Sequence, residues 1–267
     1  ATVDPRDLCG AEIAEIKLTI ETSVPNIADR LKASYWCSSA RGHSDMSLVV
    51  TRSNILPPDV YPYPDLISDG DILKFQAESC FGKIDLHQKK AELLITDVRP
   101  VEDTEYFIRI LIALLCFQQG GLLVHGAGIV KNGFAYIFFG HSGSGKTTVS
   151  ILTPDGITLS DDLVVVKPYR QLWKVYATPF GRIVTDDQVQ VGYPLRSMYR
   201  LVKDKSNYLE ELSHSIAVAD LIASAPVISN TSSYITQVLQ RCETLVSNIP
   251  IYRLHFLPDN SFWNLIS

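Results

Sequence analysis

The sequence lacks the features that mark several specialised classes of protein. Its 267 residues carry 24 lysines and arginines against 29 aspartates and glutamates, a net charge of −5, which argues against broad binding to nucleic acid or anionic membranes. The most apolar run, residues 108–117, is too short to span a bilayer and contains Arg109, so we expect a buried helix there. The polar, acidic start of the sequence, residues 1–5, does not resemble a signal peptide.

Cysteine spacing excludes further classes. The five cysteines are scattered and include no C-x-x-C pair, so neither a zinc site nor a disulfide framework is expected, and a reducing cytoplasm fits best. The sequence shows neither internal repeats nor low-complexity tracts. It leaves the oligomeric state open.

The first hundred residues have the pattern of β structure. Three runs are strand-like: residues 13–21, 47–51 and 92–96. The proline-dense residues 56–65 favour a loop. Because no chemical motif occurs here, residues 1–104 are interpreted as a smaller β-rich N-terminal region with a packing or partner-recognition role. A helical stripe over residues 103–119 ends at Gly120–Gly121, a pair typical of a helix C-cap.

The second region, residues 105–267, opens with a hairpin signal. Two apolar runs, residues 121–130 and 134–139, flank Lys131-Asn132-Gly133, and Asn-Gly between such runs favours a two-residue hairpin turn. The segment that follows the second run therefore leaves an antiparallel hairpin and not a βαβ crossover. Further elements are expected as a strand pair at 163–166 and 173–176, helices at 213–223 and 232–246, and a closing strand at 251–256.

The most informative segment follows that hairpin. Residues 140–147 match the phosphate-binding pattern G-x-x-x-x-G-K-T, with the strand-like residues 135–139 before it and a predicted helix from residue 147 after it. Backbone N–H groups of such a loop wrap phosphates at the start of the helix. Lys146 is expected to reach the outer phosphates and the Thr147 hydroxyl to bind Mg²⁺. The alternative, a Gly/Ser-rich surface turn, does not account for the flanking strand and helix.

An acidic pair supplies candidate partners for the loop. Asp161 and Asp162 precede the apolar residues 163–166, so one carboxylate can bind the metal and the other can act as general base. The alternative is a solvated turn after Gly156. His125, in an apolar run, is either a core histidine bonded to backbone or a side chain that orients the base.

These motifs together resemble the HPr kinase/phosphorylase family and its small kinase-like relatives. The resemblance covers roughly residues 105–267, and its motifs are residues 123–128, 138–148, 159–164, 177–181, 249–254 and 261–263. It implies an α/β fold with a phosphoenolpyruvate carboxykinase-like P-loop core and a mixed or antiparallel sheet. It also implies ATP and Mg²⁺ as nucleotide and metal.

Carried over by motif, the resemblance assigns roles to individual residues. The nucleotide would be held by Gly140, Ser142, Gly143, Ser144, Gly145, Lys146, Thr147 and Thr148. Thr147, Asp161 and Asp162 would bind the metal, and Asp161 would be the base, with help from His125. Arg182 would stabilise the transferred charge, with an ordinary exposed arginine as the alternative.

Two functions from different classes follow. The first is a cytoplasmic Mg-ATP-dependent kinase that phosphorylates a serine-type hydroxyl of a protein, peptide or small molecule. The second is a non-catalytic ATP/ADP-binding sensor or scaffold. A GTPase is weaker, because the N-K-x-D motif that reads guanine is missing.

Overall fold

The computed structural model describes residues 7–33, 43–55, 65–69, 72–181 and 191–266. The chain divides into two compact units, residues 1–115 and 116–267, with one β-sheet in each. The protein is therefore a mixed α/β chain in which strands dominate. The sequence-based division after residue 104 stays a prediction.

The first unit is built on a seven-stranded sheet with the order β1-β2-β3-β7-β6-β5-β4. Its elements are β1 (Asp7–Ile13), β2 (Ile16–Thr22), α1 (Pro25–Ala33), β3 (Met46–Arg52), β4 (Asp65–Asp69), β5 (Ile72–Ala77), β6 (Cys80–Asp85) and β7 (Lys90–Ile95). The neighbours β2, β3 and β7 run parallel, and the remaining pairs are antiparallel. Alternate residues of β2 are buried, as expected for a strand with one face in the core.

Two of the three predicted strands in this unit are confirmed, as β3 and β7. The third, at residues 13–21, is wrong in its bounds. Ala14 and Glu15, with φ of 52° and 64°, form a tight turn between β1 and β2. Turns of this kind usually carry Gly or Asn, so the sequence contains no signal for it. Within the predicted proline-dense loop, residues 56–64 lie outside the described residues.

Cysteine pairing differs from the expectation at one position. Cys9 is disulfide-bonded, whereas the sequence predicts no disulfide framework. Cys80, Cys116 and Cys242 are free and buried. Burial raises the pKa of each of these thiols to about 12, which keeps them protonated and unreactive.

The apolar run at residues 108–117 lies in a buried helix, as predicted. Helix α2 spans Pro100–Gln118, and Phe107, the largest of its fully buried side chains, presses against Gly82. A Cβ at Gly82 would lie 2.3 Å from the Phe107 ring. Gly120, with a φ of 89°, follows the end of the helix. Its N–H donates to the Phe117 carbonyl, and the Gly121 N–H donates to the Cys116 carbonyl. The predicted C-cap is confirmed. Among the described residues, no helix is long and apolar enough to cross a membrane.

The second unit is built on an eight-stranded sheet with the order β10-β8-β11-β12-β13-β15-β14, and β9 pairs with both β8 and β13. Its strands are β8 (Leu122–Lys131), β9 (Phe134–Phe139), β10 (Ile157–Ser160), β11 (Leu163–Tyr169), β12 (Leu172–Tyr176), β13 (Tyr193–Lys203), β14 (Tyr208–Glu211) and β15 (Ile251–Phe256). Its helices are α3 (Lys146–Ile151), α4 (His214–Ala223) and α5 (Ile235–Asn248), and its 3₁₀ turns are Ile228–Asn230, Ser232–Tyr234 and Asn260–Leu265.

Local predictions in this unit are confirmed. Strands β8 and β9 form the antiparallel hairpin, with Asn132 and Gly133 at φ of 52° and 80°. Strands β11 and β12 form the second hairpin, and β15 is the predicted closing strand. Helix α4 matches its prediction to within one residue at its start. Helix α5 begins three residues later than predicted, because Ser232–Tyr234 is a 3₁₀ turn.

Two features of the sheet position the phosphate loop. Strand β8 changes partner along its length, pairing with β11 up to His125 and with β9 from Gly126 onward. Strands β9, β13 and β15 run parallel, so their carboxyl ends meet at one edge of the sheet. The loop leaves β9 at this edge, where the Phe256 ring lies 2.6 Å from the position that a Cβ of Gly145 would take.

Candidate functional site

The phosphate loop has a backbone that requires its glycines. Gly140, Gly143 and Gly145 have φ of 148°, 79° and 112°, a region that side-chain-bearing residues rarely adopt. The Ser144 hydroxyl is buried and has no hydrogen-bond partner among the described residues. A buried hydroxyl without a partner is costly, so this loop has hydrogen-bonding capacity that the described residues do not use.

Lys146, the first residue of α3, folds back over the loop. Its Nζ donates hydrogen bonds to the carbonyl oxygens of Gly140, at 2.9 Å, and His141, at 3.3 Å. Burial lowers the pKa of the Lys146 ammonium, while the charge of Asp162 raises it. The carboxylate of Asp162 therefore lies close enough to Lys146 for its charge to act on the ammonium.

Thr147 and Asp161 meet directly. The Thr147 Oγ1 donates to Asp161 Oδ2 at 3.0 Å, and Asp161 is 5% exposed. The side chains come together because α3 leads back to β10, whose last residue, Ser160, precedes Asp161. The alternative of a solvated turn is thus excluded for Asp161.

His125 and Asp162 form a second, more exposed pair. His125 Nε2 lies 3.3 Å from Asp162 Oδ1, and the two side chains are 43% and 36% exposed. Main-chain bonds hold both residues: the His125 N–H donates to the Ser224 carbonyl at the end of α4, and the Gly126 N–H donates to the Asp162 carbonyl. His125 is therefore not a core histidine.

The partner of His125 differs from the one implied by the resemblance. That resemblance joined His125 to Asp161, whereas the contact is with Asp162 and Asp161 faces Thr147. The reason is local: the two aspartates are consecutive in the turn between β10 and β11 and point to different neighbours. Ser224, which anchors the His125 backbone, carries no motif and was missed.

The remaining predicted site residues are spread around the loop. Ser142 and Gly143 are exposed, and Thr148 is partly buried in α3. Gly181 packs against Ser160 and Asp161, because a Cβ there would lie 2.6 Å from Ser160 Oγ and 2.7 Å from Asp161 Oδ1. Arg182 lies outside the described residues.

Replacing Gly181 with Ala is expected to displace the Asp161 carboxylate from Thr147, because the added methyl group overlaps its oxygen. Overpacking of this kind typically costs about 1–3 kcal/mol of folding stability. Denaturant unfolding of the variant and the wild-type protein would measure this loss. Unchanged stability would show that the Asp161 side chain can move aside without cost.

The arrangement offers a limited set of metal ligands. The Thr147 hydroxyl and the Asp161 carboxylate are adjacent oxygen donors, and within the described part of the chain no cluster of three or more His, Cys, Asp or Glu side chains is found. This donor set does not suit zinc. It fits Mg²⁺, which takes one or two carboxylates and fills its other positions with water and phosphate oxygens.

The chain is similar to one protein family in sequence and to solved structures in fold. A family model described as "SynChlorMet cassette protein ScmC" matches residues 102–267. Among the curated proteins, none matches the sequence. The chain is similar in structure to an Hpr(Ser) kinase/phosphatase from Coxiella burnetii. The match covers 53% of this chain and 89% of that protein's chain, at 11% sequence identity and a TM-score of 0.30.

Proposed function

The chain belongs to the SynChlorMet cassette protein ScmC family, and we propose that it is a Mg-ATP-dependent kinase that phosphorylates a serine-type hydroxyl. One observation carries this proposal: Lys146, the Thr147–Asp161 pair and the His125–Asp162 pair lie together at the phosphate loop. Phosphoryl transfer needs a phosphate cradle, metal ligands and a group that takes a proton, and this site contains candidates for all three.

ATP is the proposed donor, held by the loop from Gly140 to Thr148. Loop N–H groups and the Lys146 ammonium supply positive potential for the phosphates. The buried Ser144 hydroxyl, which has no partner among the described residues, would donate to a phosphate oxygen. Two observations support this assignment: the positive-φ glycines of the loop and the partial burial of Lys146.

Mg²⁺ would be held by Thr147 Oγ1 and the Asp161 carboxylate. When bound, the ion neutralises charge on the β- and γ-phosphates. Asp161 suits this position because its carboxylate is buried next to the hydroxyl that P-loop proteins use as a metal ligand.

Asp162 is the proposed general base, in place of Asp161. As the acceptor oxygen forms its bond to the γ-phosphorus and the bond to ADP breaks, the hydroxyl proton passes to a carboxylate oxygen of Asp162. His125 would orient that carboxylate through the contact between Nε2 and Oδ1. The partial exposure of both side chains supports this role, because an acceptor hydroxyl must reach the base.

Fold family, acceptor and location complete the proposal. We assign the second unit to the phosphoenolpyruvate carboxykinase-like nucleotide-binding fold, in which a P-loop follows a hairpin strand. The acceptor is a hydroxyl on a protein, a peptide or a small molecule. The use of ATP favours the cytoplasm, although a disulfide such as that of Cys9 is unusual there.

The proposal is tested by following the γ-phosphoryl group. Protein, Mg²⁺ and γ-labelled ATP are incubated with a pool of serine peptides and small alcohols, and Lys146→Met serves as the inactive control. We expect label on a hydroxyl acceptor and one ADP per phosphate transferred, with both lost in Lys146→Met. If the protein binds MgATP but transfers no label and releases no ADP, it is a nucleotide sensor and not a kinase.

A further inference from the structure

A pocket of about 650 Å³ lies in the second unit, away from the phosphate loop. Its lining includes residues at or next to the amino ends of three strands. These are Phe134 in β9, Leu195 in β13 and Pro250, which directly precedes β15. The phosphate loop follows the carboxyl end of β9. The six residues of β9, at about 3.3 Å each, put Phe134 roughly 20 Å from the phosphate loop. No residue of the phosphate loop is among the described residues that line the pocket.

Apolar side chains of the pocket are unusually exposed. Phe134, Leu172 and Leu265 are 41%, 57% and 36% exposed, and all three line the pocket together with Trp173 and Tyr252. Large apolar side chains gathered around one concavity are a frequent mark of a binding site, whereas single exposed ones are common everywhere. The volume lies in the range of small-molecule sites.

Arg196 brings a positive charge to this pocket through an irregularity in β13. The pairing with β9 shifts between Leu195, opposite Ala135, and Ser197, opposite Tyr136, so Arg196 is an extra residue in a β-bulge. Bulges are rare between parallel strands, and they redirect side chains near functional sites. The Arg196 guanidinium lies over the Phe134 ring, 5.6 Å from its centre.

Among the described residues, no carboxylate forms an ion pair with Arg196, so none of them neutralises its charge. No acidic residue is among the described residues that line the pocket, whose polar members include Gln171 and Asn248. An uncompensated guanidinium beside the Phe134 ring favours an anion with an apolar body.

The pocket also contains a buried polar pair. Ser197 and Tyr199 are 4% and 3% exposed, and the Ser197 hydroxyl donates to the Tyr199 hydroxyl at 2.8 Å. Two hydroxyls joined by one hydrogen bond keep a second hydrogen for another acceptor. Arg196 and this pair are close in sequence and line the same pocket, so they can bind the oxygens of one ligand.

We propose that this pocket binds a small carboxylate with an aromatic or branched aliphatic body. The carboxylate is bound by Arg196 and the Ser197–Tyr199 hydroxyls, and the body contacts Phe134, Leu172 and Trp173. The proposal is independent of the kinase assignment, since it uses none of the residues at the phosphate loop.

The test compares two probes of the same shape, 3-phenylpropionate and its uncharged amide, 3-phenylpropanamide. Their affinities for the full chain are measured by NMR chemical-shift titration. We expect the carboxylate to bind about tenfold more tightly than the amide, and we expect Arg196→Gln to remove this preference. Lys205→Gln, which deletes an exposed positive charge that does not line the pocket, should keep it.

Three results would overturn the proposal: no binding of either probe, equal binding of both, or a preference that persists in Arg196→Gln. Tyr199→Phe gives a second check, because it removes a hydroxyl but keeps the ring, and it should weaken the carboxylate several-fold more than the amide. MgATP affinity should be the same in all these variants, so this result does not depend on the fate of the kinase proposal.

Discussion

Asp162→Asn is expected to lower turnover by about two to four orders of magnitude, the usual contribution of a general base. Asn keeps the shape of the side chain and can still contact His125, but it cannot take the hydroxyl proton. MgATP affinity should change little, because Asp162 is not the carboxylate that contacts Thr147. Initial rates of ADP formation with a saturating acceptor, together with calorimetric titration of MgATP, measure the two quantities separately.

A matched control exists for this substitution. Asp155→Asn makes the same chemical change at an exposed carboxylate whose partner is Lys131, and it should leave both quantities at wild-type values. Wild-type turnover in Asp162→Asn would remove this residue from the role of base. A parallel loss of turnover and nucleotide affinity would make it a binding residue instead.

Asp161→Asn is expected to weaken MgATP binding, whereas Asp162→Asn is expected to lower turnover. Loss of a charged oxygen ligand costs about 3 kcal/mol, or roughly a hundredfold in affinity, and the loss should be confined to the Mg²⁺-dependent part of nucleotide binding. Titrations with ATP in Mg²⁺ and in EDTA would measure it: the wild-type protein should gain affinity from Mg²⁺, and the variant should not.

The two variants together decide between the assignments of the acidic pair. If Asp161→Asn keeps Mg²⁺-dependent binding but loses turnover, while Asp162→Asn loses binding, the roles implied by the family resemblance are correct and those proposed from the contacts are wrong. Each variant therefore serves as the positional control for the other.

The sequence predicted features that depend on neighbouring residues better than features that join distant segments of the chain. Asn132-Gly133 predicted its hairpin because both residues tolerate positive φ. The turn at Ala14 and Glu15 has the same backbone character without those residue types, so it was missed. The parallel neighbours β9, β13 and β15 were not foreseen either, since their pairing joins segments far apart in the chain.

In the candidate site too, local motifs were predictable from the sequence and long-range contacts were not. The loop, the acidic pair and His125 were identified from local motifs, and the structure brings them together. Which aspartate faces which neighbour was not predictable, because two consecutive residues in a turn differ only in the direction of their side chains. Arg196 was missed because its bulge exists only relative to Ala135 and Tyr136 on β9.

Lys146 donates hydrogen bonds to the carbonyls of Gly140 and His141. These bonds determine how much free energy an anion would gain on entering the loop. The ammonium already has oxygen partners, so an arriving anion exchanges with them and does not meet an unsatisfied charge. The net gain is the difference between two sets of charge-assisted bonds. A multiply charged anion would gain more from this exchange than a singly charged one, because its attraction to the ammonium is stronger.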